Sequence, residues 1–317
     1  MDTGAMGSST ATATDLDLAR WRGQEGRVEV WYATLTDRHT GTGVWIHHET
    51  VAPTGEGQPY AHGWAAVFEP GVAPVVERFG PVDASATGDA RHVVGGCELA
   101  PGCLRGSAGA LQWDLTYVDA GPPLFTFPRV AWGRELLPGA QIVPAPDATF
   151  TGSIAISGRA MPVAGCGALA RIYGHGSAQR WGWLHADLDG EGTLEIVTAT
   201  ARRAALRRLP PLALVQLRLP GRPDWPARPL LAAPRFRTRL RPDGFEVRGR
   251  AAGARLTVRV ELPANESVSL QYDDPDGETA TCTNSERASA TIRFEEGDAA
   301  RTWDLDGIAH AEVGRRP

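Results

Sequence analysis

The sequence predicts an all-β protein whose strands close into antiparallel barrels. Three observations carry that prediction. Apolar and polar residues alternate at period two in a dozen or more short segments. Explicit turn sequences separate these segments, among them Arg241-Pro242-Asp243-Gly244 and Asp274-Pro275-Asp276-Gly277. The 37 Gly and 24 Pro are too frequent for long helices. Many short strands at such spacing form sandwiches or barrels, and only closure into a barrel removes the unpaired edges.

From the N-terminus, residues 27–36 read as a first strand, with Val28, Val30, Trp31, Tyr32 and Leu35 as its apolar content. A turn-forming stretch leads to a second strand at 43–51, and a Gly/Pro loop leads to a third at 61–68. Residues 70–108 alternate weakly and read as irregular, before a strand at 111–118. Residues 121–128 are too rich in Pro for a central strand, and 134–148, with Pro138, Pro144 and Pro146, read as a connector. A strand at 149–157 follows. The second half gives strands at 180–188 and 193–200 around a turn at 189–192, then at 212–219, 236–240, 245–250, 256–262, 268–272 and 289–294. The best helical candidate is short, at 199–208. A length of 317 residues suggests two domains. The expected division is a flexible tail at 1–19, one β domain at 20–160 and a second at 161–317.

Composition narrows the function. The chain carries a net charge of −5, and all 32 of its basic residues are Arg. The Arg-rich region from 202 to 250 suggests nucleic acid at first sight. However, Arg235, Arg237, Arg239 and Arg241 alternate with Phe236, Thr238 and Leu240, as on the solvent face of a strand. The acidic remainder also opposes a polyanion, so no nucleic-acid partner is expected. Cys97, Cys103, Cys166 and Cys282 fit no zinc spacing and are expected to be reduced. No apolar stretch has the form of a signal peptide or reaches the roughly 18–20 residues of a membrane span. A cytoplasmic location without stable membrane insertion is therefore expected, and the oligomeric state stays open.

The densest chemistry lies at residues 173–187. On a strand there, Trp181, Trp183, His185 and Asp187 share one face, while Leu184, Ala186 and Leu188 share the other. Aromatic rings with an imidazole and a carboxylate suit a pocket lining, because rings supply apolar area and the polar tips orient a ligand or move a proton. The alternative is large side chains packed between sheets with satisfied polar tips. In the first half, Trp45, His47 and Glu49 share a face, as do Glu29 with Trp31 and His62 with Trp64. On adjacent strands these would form an aromatic wall around a buried Glu, whose pKa desolvation would raise. His47, His48 and Glu49 alternate faces and cannot chelate together, so no metal site is expected. The acidic turn beginning at Asp187 starts like a calcium loop, but its twelfth position is Thr198. The Gly165 to Ala170 stretch lacks the third Gly of a dinucleotide fingerprint, and no strained serine elbow or phosphate loop occurs, so no cofactor is expected.

The segment Ala178-Gln179-Arg180-Trp181-Gly182-Trp183-Leu184-His185 resembles the Trp-x-Trp-x-His region of the CrtC/AttH-like tandem lipocalin-like superfamily. That group includes carotenoid hydratases, tocopherol cyclase-like proteins and Diels–Alderases. Leu111-Gln112-Trp113-Asp114-Leu115, the Pro-rich connector and Ala309-His310-Ala311-Glu312 are compatible with it. The pattern departs at Gly176, Ser177 and Gln179, where an acid or imidazole is expected. His175, His185 and Asp187 remain as the local acid candidates.

The resemblance implies two tandem lipocalin-like antiparallel β-barrel (calyx) domains and a hydrophobic small-molecule partner, an isoprenoid, polyene or polyketide. The expected function is a cofactor-independent cyclase in a [4+2] form. Carotenoid-type hydration through alkene protonation, and non-catalytic binding, are the alternatives. Candidate catalytic residues are His185, Asp187, His175 and Glu49. Candidate substrate-binding residues are Trp31, Trp45, Trp64, Trp113, Tyr117, Tyr173, Trp181 and Trp183.

Overall fold

The computed structural model describes residues 14–135 and 137–317. The first antiparallel sheet contains β1 (Arg27–Asp37), β2 (Gly43–Ala52), β3 (Tyr60–Phe68), β4 (Val75–Asp83), β5 (His92–Val94), β6 (Cys97–Ala100), β7 (Cys103–Ala108) and β8 (Leu111–Asp119), completed by β9 (Gly139–Ile156) and β10 (Arg159–Gly174). A short helix, α1 (Arg129–Arg134), precedes β9. The strand order is β4-β3-β2-β1-β10-β9-β8-β7-β6-β5, and the two outer strands approach each other, so the sheet curls into a nearly closed barrel.

The second sheet contains β11 (Arg180–Asp187), β12 (Thr193–Thr200), β13 (Leu212–Arg218), β14 (Phe236–Arg241), β15 (Gly244–Ala251), β16 (Ala254–Glu261), β18 (Thr279–Glu296) and β19 (Ala299–Arg315). Its order is β13-β12-β11-β19-β18-β16-β15-β14, and β17 (Val268–Asp273) pairs with β18 beside this path. A one-turn helix, α2 (Pro229–Ala232), packs on β13 near the closure with β14.

Each barrel has its own core. Trp31, Leu35, Ile46, Trp113, Leu115 and Phe150 fill the first, and Leu184, Ile196, Phe245, Val258, Ile292 and Leu305 fill the second. A third cluster joins Tyr32, Trp45, Trp64 and Phe68 of β1–β3 to Trp183, Val268 and Leu270 of the second sheet. β1 to β3 are therefore buried on both faces, one inside the barrel and one against its partner. This explains why Val30 to Ala33 of β1 run on as apolar residues without alternation.

Several expectations are corrected. Residues 70–108 hold four strands, β4 to β7. β4 is largely exposed on both faces, and without a dry side its sequence carries little alternation. The 134–148 connector is in fact mostly the start of β9, which tolerates Pro144 and Pro146 because its register with β10 shifts there. β10 belongs to the first barrel, so the chain crosses between sheets at residues 175–179, downstream of the expected 160/161 boundary. Gly165 and Gly167 sit in mid-strand, where a Cβ at either would run into the β1 backbone. Residues 199–208 form only a one-turn 3₁₀ segment at Ala204–Leu206.

Of the expected tail, residues 1–13 lie outside the described residues. Leu16 is buried, the Ala19 N–H donates to Asp89 at 2.9 Å, and Arg171 donates to the Leu16 carbonyl. Residues 14–19 are thus strapped to the first barrel.

Gly43 of the first barrel packs directly against Glu286 of the second. An added Cβ there would lie 2.5 Å from the Glu286 Cβ and 2.6 Å from the Glu286 carbonyl oxygen, both parts of β18. Gly43→Ala is expected to cost about 1–3 kcal/mol, the usual range for overpacking, read as a lower urea midpoint. An unchanged midpoint would show that the barrels do not pack as described.

Candidate functional site

Strand register assembles the site. Cross-strand partners share a side of the sheet, and β1–β2–β3 pair Tyr32 with His47, His47 with Trp64, and Glu49 with His62. On the facing sheet His185 is flanked by Glu195 of β12 and His310 of β19. Both sets occupy the outer faces of their barrels, which the packing of one barrel on the other converts into a buried seam.

Glu49 is the centre of the first set. His47 Nε2 lies 3.1 Å from its Oε2, and His62 Nε2 lies at 3.9 Å. Trp45 and Trp64 flank His47 at ring-centroid distances of 4.9 and 5.2 Å. Tyr272 of β17 stacks over His47 at 5.6 Å and tilts over Trp64 at 5.4 Å. Burial raises the Glu49 carboxyl to about 7. Burial also depresses His47 to about 3, so its neutral ring supplies no charge to hold Glu49 ionised. The seam reaches the surface where half-buried Tyr60 donates to Asp273 at 3.3 Å.

Three more carboxyls line the facing sheet. Glu195 accepts from Trp183 Nε1 at 2.6 Å and from Gln141 Nε2 at 2.9 Å, and His185 Nδ1 lies 3.0 Å from its other oxygen. Gln141 Nε2 also donates to the Tyr32 hydroxyl at 2.8 Å, tying both barrels to one amide. Glu286 projects from a β-bulge between Ser285 and Ala288, which re-aims it into the seam. There its Oε2 is 2.5 Å from His310 Nδ1 and accepts from Thr34 of β1. His310 stacks on His185 at 5.9 Å. Glu312 accepts from Trp181 Nε1 at 2.7 Å, and burial raises it to about 7. Asn284 is fully buried, and neither atom of its amide has a hydrogen-bond partner among the described residues.

The predicted residues fall into two groups. Trp45, Glu49, Trp64, Trp181, Trp183 and His185 meet in the seam. The others stand elsewhere. Trp31 shares with His48 the inner side of the first barrel, because it is one residue out of phase with Tyr32. Trp113 and Tyr117 pack on that barrel's Phe79 and Phe150. Tyr173 closes the barrel end under the Arg20 guanidinium. His175 lies at the surface beside Arg27, and Asp187 caps its turn by accepting from the Gly190 N–H. Trp31 and Tyr117, with His92 and Arg171, line a separate cleft of about 440 Å³ at the barrel end.

Sequence reading missed Tyr32, Gln141, Glu195, Tyr272, Glu286 and, as site residues, His310 and Glu312. Glu195 had a signal, a lone carboxylate in the apolar run Leu194-Glu195-Ile196-Val197. Glu286 had none, since a bulge is invisible to a period-two reading. Among the described residues no group of three or more His, Cys, Asp or Glu is arranged to hold a metal ion.

His48 points the other way, into the first core, with no hydrogen-bond partner for either nitrogen among the described residues, and burial depresses it to about 3. Its stability contribution is present above pH 6.5 and lost as pH falls towards 3, because the unfolded chain takes up the proton first. His48→Leu is therefore expected to stabilise the protein more at pH 5 than at pH 8. Equal effects at both pH values in denaturant titrations would contradict this placement.

Residues 89–315 match the sequence profile of a family described as tocopherol cyclase-like. Two uncharacterized proteins of Mycobacterium tuberculosis, from strains CDC 1551 / Oshkosh and ATCC 25618 / H37Rv, are each 51% identical over 301 residues, spanning 94% of this chain and 89% of the relative. Among solved structures, an AttH protein from Nitrosomonas europaea is similar with a TM-score of 0.61 at 13% identity, over 91% of this chain and 92% of that one. Kievitone hydratase from Nectria haematococca gives 0.59 at 9% identity, over 96% and 93%. CghA, in a structure with Sch210972, gives 0.57 at 12% identity, over 98% and 97%. These structures share the tandem lipocalin-like fold expected from the sequence.

Proposed function

The chain belongs to the tocopherol cyclase-like family, and from that membership we propose that it is a cofactor-independent cyclase of a hydrophobic isoprenoid, polyene or polyketide, with the seam between the barrels as its active site. One observation carries the reading: a carboxyl raised to about 7 by burial, Glu49, set among the faces of Trp45, Trp64 and Tyr272. A carboxylic acid that keeps its proton near neutrality protonates an alkene carbon. The indole and phenol faces stabilise the carbocation. An internal alkene or hydroxyl then attacks the cation and closes the ring. The closing step returns a proton to the Glu49 carboxylate, so the reaction is a net isomerisation.

A [4+2] cyclisation needs no acid, and Glu49 therefore favours protonation over the pericyclic form. Water attacking the same cation would give a hydratase, so the competing outcome is set by water access and not by a different acid. His47, neutral and 3.1 Å away, orients the Glu49 carboxyl. His185 is fixed by Glu195 on the opposite wall.

The test begins in the producing organism. Deleting the gene in frame is expected to accumulate a hydrophobic compound isomeric with the normal product, seen by liquid chromatography and mass spectrometry. Turnover of that compound by the purified protein in D₂O should place one non-exchangeable deuterium in the product. Cyclisation without deuterium would return the reading to [4+2] chemistry. A precursor lighter than the product by one water would make the enzyme a hydratase. An unchanged profile would leave a binding protein.

A further inference from the structure

The segment from 201 to 240 contains ten Arg and a single acid, Asp224, in a chain whose net charge is −5. It also carries five of the exposed large hydrophobics: Leu206, Leu209, Leu212, Leu230 and Leu231. Topology gathers these residues along one strand. The loop after β12 presents Leu206 and Leu209 and ends at Leu212, the first residue of β13, while α2, with Leu230 and Leu231, packs against the same strand. In the chain, Arg203, Arg207 and Arg208 flank the leucines of the loop, Arg228 and Arg235 flank those of α2, and Arg237 and Arg239 follow on β14; all seven are exposed, and none forms a salt bridge among the described residues. Asp224 is already paired with Arg218 at 2.9 Å.

We propose that this face of the second barrel docks on an anionic phospholipid bilayer, with the leucines entering the headgroup boundary and the arginines engaging lipid phosphates. Exposed leucines alone would fit a second copy of the chain, and arginines alone would fit a nucleic acid. The combination of exposed leucines with unpaired arginines beside them fits a charged membrane surface, where both forces act together. Self-association through this face would also juxtapose two clusters of unpaired arginine. Such docking is peripheral: no helix among the described residues is long and apolar enough to cross a membrane. The inference stands apart from the catalytic reading, since it rests on surface residues that take no part in the seam.

The test is flotation of the full chain with vesicles of phosphatidylcholine, with and without phosphatidylglycerol. The protein is expected to float only with the phosphatidylglycerol vesicles and to be released by high salt. Leu206→Ser combined with Leu209→Ser and Leu231→Ser should lower the bound fraction at least about tenfold, from the lost apolar burial. Each of Arg203→Gln, Arg207→Gln and Arg208→Gln should lower it roughly fivefold. These positions are exposed, so circular dichroism should show unchanged folding. Failure to float, or flotation that neither set of variants reduces, would overturn the proposal. So would a dimer in the absence of lipid that the leucine variants dissociate, or duplex DNA that displaces the vesicles and binds the leucine variants unchanged.

Discussion

Replacing Glu49 with Gln is expected to slow turnover severely while the fold survives. Gln reproduces the shape of the protonated carboxyl but has no proton to give, and removal of a positioned acid typically costs a factor of about 10² to 10⁴. The wild-type rate should fall as pH rises through about 7, where Glu49 loses its proton. Stability supplies an independent sign. The folded state holds that proton until about 7, against the ordinary 4.5 of the unfolded chain, so wild-type stability declines from pH 4.5 through 7. The shift corresponds to a loss on the order of 3 kcal/mol. Glu49→Gln should therefore match the wild type at pH 4.5 and exceed it at pH 8. A variant that keeps its activity would remove Glu49 from the chemistry. A variant no more stable at pH 8 would show that the carboxyl is not dry.

The second large effect is structural and lies in the other barrel face. Arg171 and Glu29 form an ion pair at 2.6 Å with side chains 3% and 0% exposed. Glu29 also accepts from the Trp21 N–H at 2.7 Å and the Arg20 N–H at 2.7 Å, and Arg171 holds the Leu16 carbonyl. The pair thus fastens the strap at 14–21 across the barrel end. The Arg171 guanidinium sits against the rings of Trp31 and Trp132, and burial lowers it only to about 10, so it stays charged. Arg171→Ala leaves a buried carboxylate without its counter-charge, and a loss of about 3–5 kcal/mol is expected. Glu29→Leu combined with Arg171→Leu should recover much of that loss, because no lone charge remains. The urea midpoints of the single and double variants decide it. A double variant as unstable as the single one would mean that the strap contacts, and not the charges, carry the stability.

Strands with one dry and one wet face were legible in the sequence. β8 and β16 alternate cleanly, and their ends were read to within one residue for β8 and two for β16. Where both faces are dry, as in β1, the residues were recognised but the two faces could not be told apart, so Trp31 was grouped with rings that lie across the sheet from it. Where both faces are wet, as in β4, nothing marked a strand. The site followed the same logic. Glu49 and His185 stood out because a charged or imidazole group beside tryptophans is unusual on any strand. Glu286 and Tyr272 did not, because their meeting with β1 and β2 depends on how two barrels dock, and docking leaves no periodic trace in either partner.

The docking also decides what kind of acid Glu49 is. Neither barrel alone makes it unusual, since the face that carries it would then be wetted surface and its carboxyl an ordinary carboxylate. The raised value belongs to the closed pair. Any parting of the barrels wide enough to admit water would ionise Glu49 at neutral pH, and the protein would disarm itself each time it opened. Under the proposed mechanism, a substrate that entered by parting the barrels would be protonated only after they had closed again. A cation formed on the substrate would exist only while the seam is shut against the solvent that would quench it.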